Sequence, residues 1–402
     1  MLHLGSFLYS ALALVALSAG TVTAVPVTKA NGQVKPGSYI VVLHDTTSMT
    51  SHISWVKSKE TKTKSKSNIN YQYNVVNAYS AQLTDASLKS LTNSPDVAMI
   101  IPDTMVNATV IQNDAPWGLA RIGAQKQLPV GSLVTKLTYP FPYKTSPSGV
   151  DAYVIDTGIN TQHVDFGGRA RWGKTFGPYA SQDGNGHGTH VAGTIAGKRW
   201  GVAKSASIYA VKVLSDQGSG WTSDVIAGID WVVAQSKITR RPSVINLSLG
   251  GPTNAAMDQS VANAVIAGVH VVVAAGNNNV DAKDTSPARV PSVITVGATS
   301  ITDARWQWNA FQGSNFGSSV DIFAPGEDIT SAWIGSTTAT NRITGTSMAT
   351  PHVSGLVAYL LALEGQKTPS VMLTRIKQLA PDGILKGIPL GTRNEMIWNG
   401  GA

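Results

Sequence analysis

From about residue 112 onward, short apolar runs rich in β-branched residues alternate with segments of helical periodicity. The predicted buried strands are residues 150–155, 207–213, 244–247, 271–275 and 293–296. The predicted helices are residues 187–196, 222–235, 255–267, 347–363 and 370–379. Apolar strands that alternate with helices are typical of a parallel sheet covered by helices on both faces. We therefore predict an α/β fold, in which ligands bind at the carboxyl ends of the strands.

The preceding part of the chain has strands and helices in a different, mixed order. Strands are predicted at residues 39–43, 73–81 and 97–102, with a fourth at 106–111, and helices at 47–60 and 85–92. This order predicts a small α+β domain of roughly 75 residues, near the lower size limit for independent stability. We expect this domain at 38–111 within a segment that runs from 25 to 111. The larger domain is expected at 112–402.

The N-terminal segment has the pattern of a secretory signal. Leu4 to Ala19 is mostly apolar, and Val22-Thr23-Ala24 supplies small residues at a cleavage position. A membrane anchor is the alternative, but the apolar run is shorter than ~20 residues and is interrupted by glycine and serine. We expect residues 1–24 to be a signal peptide and the protein to be secreted and extracellular. Asn107 and Asn246 begin glycosylation sequons, the second of them inside an apolar run.

Cysteine content and charge exclude several function classes. The chain has no cysteine, which excludes disulfides, thiolate catalysis and cysteine-bound zinc. The formal net charge is +8, and lysines are concentrated between Lys57 and Lys66. A site for single-stranded nucleic acid would place aromatic residues among the lysines, but Ser, Thr and Asn surround them here. We expect a solvated loop, and a monomer that binds neither nucleic acid nor membranes.

Three polar side chains lie at predicted element boundaries, where functional groups concentrate. Asp156 ends a buried strand, His187 follows a glycine-rich loop and begins a helix, and Ser347 begins another helix. A serine hydroxyl is a weak nucleophile unless a base takes its proton, and neutral imidazole is such a base near pH 7. A carboxylate on the other ring nitrogen fixes the tautomer and stabilises the imidazolium. Together they predict a Ser347 nucleophile with His187 as base and Asp156 as its partner.

Asn277 follows the predicted strand at 271–275 and supplies an amide that could stabilise an oxyanion, together with the backbone N–H of Ser347. His187 and His190 have a spacing that allows a metal pair, but no glutamate follows them to act as a base. The sequence Gly345-Thr-Ser-Met-Ala also differs from the Gly-x-Ser-x-Gly elbow of α/β-hydrolases. Both alternatives are therefore weaker than the Asp-His-Ser hypothesis.

With their flanking residues, these motifs resemble the subtilisin-type serine proteases, in which Asp, His and Ser occur in this order. The sequences Ala115-Pro-Trp-Gly-Leu-Ala-Arg-Ile, Gly-Asn-Gly-His-Gly-Thr-His and Ala-Ala-Gly-Asn-Asn-Asn are similar to the proteinase K group, in particular to its fungal members. The resemblance runs from about Ala115 to near the C-terminus, and the small domain resembles the inhibitor-type propeptide of the family.

The resemblance implies a secreted zymogen endopeptidase that is inhibited by its own propeptide, acts on proteins and peptides and needs no catalytic cofactor. It implies self-cleavage around residues 108–114, with Val106 to Ile111 held in the active cleft as a product-like strand. The alternative is a non-catalytic secreted binding protein on the same fold. That alternative is disfavoured because Asp156, His187, Asn277 and Ser347 are all present.

Two segments match the family's edges that hold an extended peptide by backbone hydrogen bonds. They are Gly218, Ser219 and Gly220, and Ser248, Leu249 and Gly250. The resemblance further implies an S1 pocket lined by Ala274, Ala275, Gly276 and Gly250. Because these residues are small and carry no charge, we expect broad specificity with hydrophobic or aromatic P1 residues.

The resemblance also implies one structural calcium ion, bound by the carbonyls of Pro291 and Val293 and by Asp321. A second, weaker calcium site is not implied, because Gln125 and Gln378 stand where the family has a threonine carbonyl and an aspartate. The segment at 305–315 is longer than in the family and includes Trp306 and Trp308.

Overall fold

The computed structural model describes residues 24–29, 34–59, 67–73, 75–104, 109–145 and 148–401. The chain forms two compact units, residues 1–105 and residues 106–402, and each is described by itself. Residues 1–23 of the predicted signal peptide lie outside the described part, as do Lys62, Lys64 and Lys66. Among the described residues, none of the helices has the length and apolar character needed to cross a bilayer.

The first unit is an antiparallel sheet with two helices. Its described strands are β1 (Val34–Leu43), β2 (Asn68–Tyr73), β3 (Ala78–Gln82) and β4 (Val97–Thr104), and its helices are α1 (Met49–Ser58) and α2 (Asp85–Thr92). The strand order is β2-β3-β1-β4. Each helix begins after a hydroxyl side chain that accepts a backbone N–H, Ser48 for α1 and Thr84 for α2. The predicted α+β class is therefore confirmed for this unit.

The predicted strand at 73–81 is wrong in its extent. β2 ends at Tyr73, residues 75–77 form a turn, and β3 begins at Ala78. Val75 is fully exposed in that turn. Two valines in a turn extended the apolar pattern, which therefore merged two antiparallel strands into one.

The second unit is built on a seven-stranded sheet with the order β15-β14-β12-β10-β7-β9-β8. These strands are β7 (Asp151–Asp156), β8 (Ala170–Thr175), β9 (Ser207–Lys212), β10 (Ser243–Leu247), β12 (His270–Ala274), β14 (Ile294–Thr299) and β15 (Ile322–Pro325). Every neighbouring pair is parallel. Three two-stranded ribbons consist of β5 (Thr109–Ala115) with β6 (Tyr139–Lys144), β11 (Gly251–Pro252) with β13 (Thr285–Ser286), and β16 (Ile329–Ala332) with β17 (Thr340–Ile343).

Helices cover both faces of the sheet. They are α3 (Trp117–Ile122), α4 (His187–Ala196), α5 (Thr222–Thr239), α6 (Ala255–Ile266), α7 (Thr346–Glu364) and α8 (Pro369–Leu379), with short 3₁₀ helices at Val164–Phe166 and Ala282–Asp284. Successive residues of β7 alternate between two hydrophobic cores, since Ala152 and Val154 pack in one and Tyr153 and Ile155 in the other. This alternation explains why the central strands are mainly apolar on both faces, and it confirms the predicted parallel α/β fold.

The five predicted strands and five predicted helices of this unit are confirmed, with ends that shift by a few residues. Two strands of the sheet were not predicted. β8 is an edge strand with polar Arg171 and Lys174, and β15 is a four-residue strand that ends at Pro325. Neither produces the continuous apolar run that identifies an inner strand.

The predicted fourth strand of the small domain is wrong in its assignment. Residues 105–108 lie outside the described part, and Thr109 begins β5, which belongs to the second unit. β5 pairs antiparallel with β6, with Thr109 opposite Lys144 and Ile111 opposite Pro142. The described residues of the predicted product-like strand therefore pair with β6. The predicted substrate edges are other segments, at 218–220 and 248–250.

Candidate active site

Asp156 and His187 are joined by a close hydrogen-bonded pair at the carboxyl end of the sheet. Asp156 is the last residue of β7 and is fully buried, and His187 is the first residue of α4. The Nδ1 atom of His187 lies 2.8 Å from Oδ1 and 2.9 Å from Oδ2 of Asp156. The backbone N–H of Thr157 also donates to Asp156 Oδ1 at 2.7 Å. This pairing leaves Nε2 as the free nitrogen of the imidazole.

The loop before His187 is held by Asp183. Its carboxylate accepts hydrogen bonds from the backbone N–H of Asn185 and Gly186, from that of Thr189, and from the hydroxyl of Thr157. Gly188 lies so close to Gly158 that a Cβ would be 2.1 Å from the Gly158 carbonyl oxygen. The glycine-rich sequence therefore allows the histidine loop to pack directly on the loop after β7.

The electrostatic environment of His187 favours its protonated form. Burial alone would lower its pKa, but the charge of Asp156, the Asp156 hydrogen bond and the charge of Asp183 outweigh burial and raise the pKa above its ordinary value. The side chain keeps 24% of its surface exposed. His187 can therefore take a proton from a group in the cleft and be stabilised as imidazolium.

His190 has a different environment and does not form a metal pair with His187. It is fully buried, its Nε2 lies 2.8 Å from the carbonyl oxygen of Ile329, and burial lowers its pKa to about 3. No metal-binding cluster of His, Cys, Asp and Glu occurs among the residues that the structure describes. His190 therefore packs in the interior and makes a hydrogen bond to the backbone.

Ser347 is the second residue of α7 and lines the same cleft as His187. Its hydroxyl donates to the carbonyl of Ser248 at 3.0 Å, and the Ser248 hydroxyl donates back to the Ser347 carbonyl at 2.8 Å. Proton transfer to the imidazole therefore requires the Ser347 hydroxyl to release the Ser248 carbonyl. The backbone N–H of Ser347 lies in the first turn of α7 and has no acceptor among the described residues, as is usual for such N–H groups.

The side-chain amide of Asn277 is oriented by Thr346. The oxygen Oδ1 of Asn277 accepts from the Thr346 backbone N–H at 2.9 Å and from the Thr346 hydroxyl at 2.8 Å. Because Oδ1 is used twice as an acceptor, the Nδ2 group is left to donate elsewhere. Asn277 and Ser347 line one cavity, which is where an oxyanion donor is needed. Thr346 was missed at the sequence level, although it directly precedes the predicted nucleophile.

The predicted substrate segments lie on one cleft of about 570 Å³. Its lining includes His187, Ser347 and both edges, Gly218, Ser219 and Gly220 with Ser248, Leu249 and Gly250. Sequence reasoning missed Asn185, which also lines this cleft and accepts the backbone N–H of His187 at 3.2 Å. The structure therefore brings the predicted reacting groups and both predicted peptide edges together.

An adjoining cavity of about 450 Å³ corresponds to the predicted S1 pocket. Ala274, Gly276 and Gly250 line it as predicted. Ala275 does not line it, because Ala275 is fully buried in a separate hydrophobic cluster. The expectation that no charge is present also needs correction, since exposed Asp284 contributes to the lining.

The predicted calcium ligands do not fit a calcium ion in the observed arrangement. Asp321 Oδ1 accepts from the ammonium group of Lys377 at 2.8 Å, and Oδ2 accepts from the backbone N–H of Thr295 at 3.1 Å. Both carboxylate oxygens are therefore bound by donors, one of them a cation. Lys377 supplies the positive charge that a calcium ion would bring to Asp321, so this arrangement does not support the predicted calcium site.

The two predicted glycosylation positions have different outcomes. Asn107 lies outside the described residues. Asn246 is 1% exposed; its amide donates to Ser248 Oγ at 2.9 Å and accepts from Ser354 Oγ at 2.8 Å. A glycan on Asn246 is incompatible with this buried hydrogen-bond network, which corrects the second prediction.

Comparison with known proteins identifies the family. The subtilase family pattern matches residues 148–391, more than half of the chain. This chain belongs to the subtilase family. The pattern of peptidase inhibitor I9 matches residues 38–109, in front of the subtilase region.

Curated subtilases resemble the chain over nearly all of its length. A subtilisin-like serine protease of Penicillium citrinum is 41% identical over 418 residues, covering 92% of this chain and 89% of that protein. Subtilisin-like protease 8 of Arthroderma otae is 42% identical over 410 residues, covering 91% of this chain and 82% of that protein. A crystal structure of a cold adapted subtilisin-like serine proteinase has a TM-score of 0.62 and 43% identity, covering 71% of this chain and 98% of that one.

These findings confirm the predicted family and the subtilisin-like fold. The chain is a subtilisin-like serine protease with an inhibitor-type propeptide region in front of it, which is the organisation of a zymogen. Members of this family need no catalytic cofactor. The propeptide limit at residue 111 and the roles of individual site residues stay predictions.

Proposed function

We propose that this subtilase is an endopeptidase in which Ser347 is the nucleophile and His187 the general base. Asp156 is the residue that orients His187 and stabilises its protonated form. The observation that carries the proposal is the Asp156–His187 pair, which opens onto the cleft that Ser347 lines. The buried carboxylate holds the proton on Nδ1, so Nε2 can act as the acceptor. Ser347 gains nucleophilicity only when this acceptor takes its proton.

The reaction proceeds in two halves. The Ser347 hydroxyl turns from the Ser248 carbonyl to His187 Nε2, gives up its proton and attacks the substrate carbonyl carbon. The oxyanion forms between Asn277 Nδ2 and the Ser347 backbone N–H, whose hydrogen-bonding capacity is free for this purpose. His187 then protonates the leaving amine, and a water molecule cleaves the acyl-enzyme by the same steps in reverse.

Peptide substrates bind as an added β-strand between the segments 218–220 and 248–250. Backbone hydrogen bonds to these edges bind peptides of many sequences, and the side-chain pockets determine which residues are preferred. The S1 pocket is proposed to prefer hydrophobic or aromatic residues because Ala274, Gly276 and Gly250 form its walls. Because these walls are small, the preference is expected to be broad; exposed Asp284 lines the same pocket.

The chain is proposed to process itself. The cut is placed at the N-terminal end of the expected range 108–114, because cleavage farther along would divide β5, which is paired with β6 from Thr109 to Ala115. The released first unit then acts as an inhibitor of the cleft, as expected for the I9 type. Large α/β proteins can meet kinetic traps in folding, which is consistent with a folding role for the propeptide.

The cellular setting is proposed from the sequence. The apolar segment from Leu4 to Ala19 and the small residues at 22–24 support secretion of an extracellular enzyme. The enzyme is proposed to act as a monomer on protein and peptide substrates and to bind neither nucleic acid nor membranes. Asn107 is the proposed glycosylation position.

Covalent labelling tests the proposed nucleophile. A fluorophosphonate is expected to add one adduct to Ser347 of the wild-type enzyme, with no adduct in Ser347→Ala. Peptide mapping by mass spectrometry locates the modified residue. An adduct that maps to another serine would remove Ser347 from the proposed role.

A further inference from the structure

A third cavity of about 410 Å³ opens beside Asn277. Asn277 is the single residue that lines both this cavity and the S1 cavity. An oxyanion donor contacts the scissile carbonyl, and Asn277 forms part of the wall of both cavities. With the S1 cavity taking the acyl side, this third cavity faces the residues that follow the scissile bond.

The segment at 305–315 builds one wall of the cavity, with Trp306, Trp308 and Gln312. The segment is held by many contacts. The Arg305 guanidinium donates to Asn279 Oδ1 and to Gln307 Oε1, each at 2.8 Å, and the Trp308 backbone N–H donates to the Gln312 carbonyl at 2.8 Å. Trp308 is nevertheless 74% exposed. A firmly held segment thus presents a large aromatic side chain at the cavity.

The opposite wall carries negative charge. Glu327 and Asp328 line it, and the described residues provide no cationic partner for Glu327. Asp328 pairs only with Arg342, at 3.5 Å, and both of those side chains are about two-fifths exposed. Burial and the charge of Asp328 raise the pKa of Glu327. The negative charge of the Glu327 carboxylate is therefore not balanced by a cation of the described residues.

Trp306 gives an independent sign of an incomplete polar environment. Its side chain lines the cavity and the residue is only 9% exposed, yet its indole N–H has no acceptor among the described residues. A buried donor without an acceptor costs free energy unless a ligand or water satisfies it. Since lysine and arginine side chains have no acceptor, only a substrate carbonyl or water could satisfy this N–H. The charge preference of the cavity therefore depends on the exposed aromatic face of Trp308 and the uncompensated carboxylate of Glu327.

We propose that this cavity is a leaving-side subsite that takes a lysine or arginine side chain of the substrate, within the first three residues after the scissile bond. The cationic group would lie between Glu327 and the face of Trp308, and its aliphatic stem would pack on the indole. Cations bind both to carboxylates and to aromatic faces, and the two contributions together predict a preference of about 10-fold. This proposal rests on the proposed endopeptidase function.

Internally quenched peptides test the subsite. The peptides keep one sequence up to the scissile bond and carry Arg, Gln or Glu at each of the next three positions. The mature wild-type enzyme is expected to cleave the best Arg peptide about 10-fold faster than its Glu counterpart in kcat/KM. The Arg-to-Glu ratio is expected to fall to about 3 or less in Glu327→Gln and in Trp308→Ala.

The ratio of two substrates on one enzyme sample is independent of the fraction of correctly folded enzyme. Asp230→Asn is the matched control, because it removes the same charge from an exposed position on α5 outside the cavity lining. Its ratio is expected to equal that of the wild type. An Arg-to-Glu ratio near 1 at all three positions, or an unchanged ratio in Glu327→Gln, would overturn the subsite. Failure to cleave any peptide would instead count against the proposed function.

Discussion

The ion pair between Lys377 and Asp321 can be broken by Lys377→Met, which would leave a partly buried carboxylate with only the Thr295 N–H as a donor. The two side chains are 22% and 17% exposed. Exposed pairs contribute about 0–1 kcal/mol, and breaking a buried pair costs about 3–5 kcal/mol. Partial exposure places this pair between these limits, at about 1–3 kcal/mol, or about 2–5 °C in Tm for a unit of about 300 residues.

Calorimetry of mature enzyme that has been blocked with a fluorophosphonate measures this Tm without self-digestion. All variants are scanned at one rate, because unfolding of such proteins is often irreversible. The wild-type Tm is expected to change by less than about 1 °C between calcium chloride and a chelator, since Lys377 already supplies the charge. Asp321→Asn and the double variant complete a cycle that isolates the coupling of the pair. A wild-type Tm that falls by several degrees on chelation would show bound calcium and refute the argument.

Three further predictions concern catalysis. Only neutral His187 can accept a proton, so kcat/KM should fall as the pH drops through the pKa of His187. Because that pKa is raised, the fall is expected above pH 6.5. Asp156→Asn should move the fall to lower pH in a pH–rate profile. Asn277→Ala should lower kcat by ~10²–10³ with little change in KM, a figure known for a subtilisin. Thr346→Val should cost about 5-fold in kcat by loosening Asn277, whereas Thr346→Ser should restore it. An unchanged pH profile, or equal kcat values for Val and Ser at 346, would contradict these assignments.

The sequence predicted the central sheet because burial on both faces makes each inner strand mainly apolar. β7, β10 and β12 are such strands, and each has a predicted polar residue at or just after its carboxyl end. β8 and β15 were missed because one is a polar edge strand and the other is very short. The valines of the turn at 75–77 misled the prediction in the opposite direction.

The site was predictable where a motif is local in sequence and not where a contact is distant. His187 and Ser347 each lie in a motif of a few residues. The Thr346–Asn277 contact joins residues 69 positions apart, and the Lys377–Asp321 contact joins residues 56 apart. Burial of Asn246 also depends on tertiary packing, since a sequon by itself gives no information about exposure.

Expression of Ser347→Ala in a host without a wild-type copy tests the central claim most directly. N-terminal sequencing and intact mass of the secreted material measure whether the first unit has been removed. The wild type is expected to begin near residue 109 and to carry one fluorophosphonate adduct, and Ser347→Ala is expected to stay as an uncut precursor without an adduct. Normal maturation or labelling of Ser347→Ala would contradict the claim that Ser347 is the nucleophile.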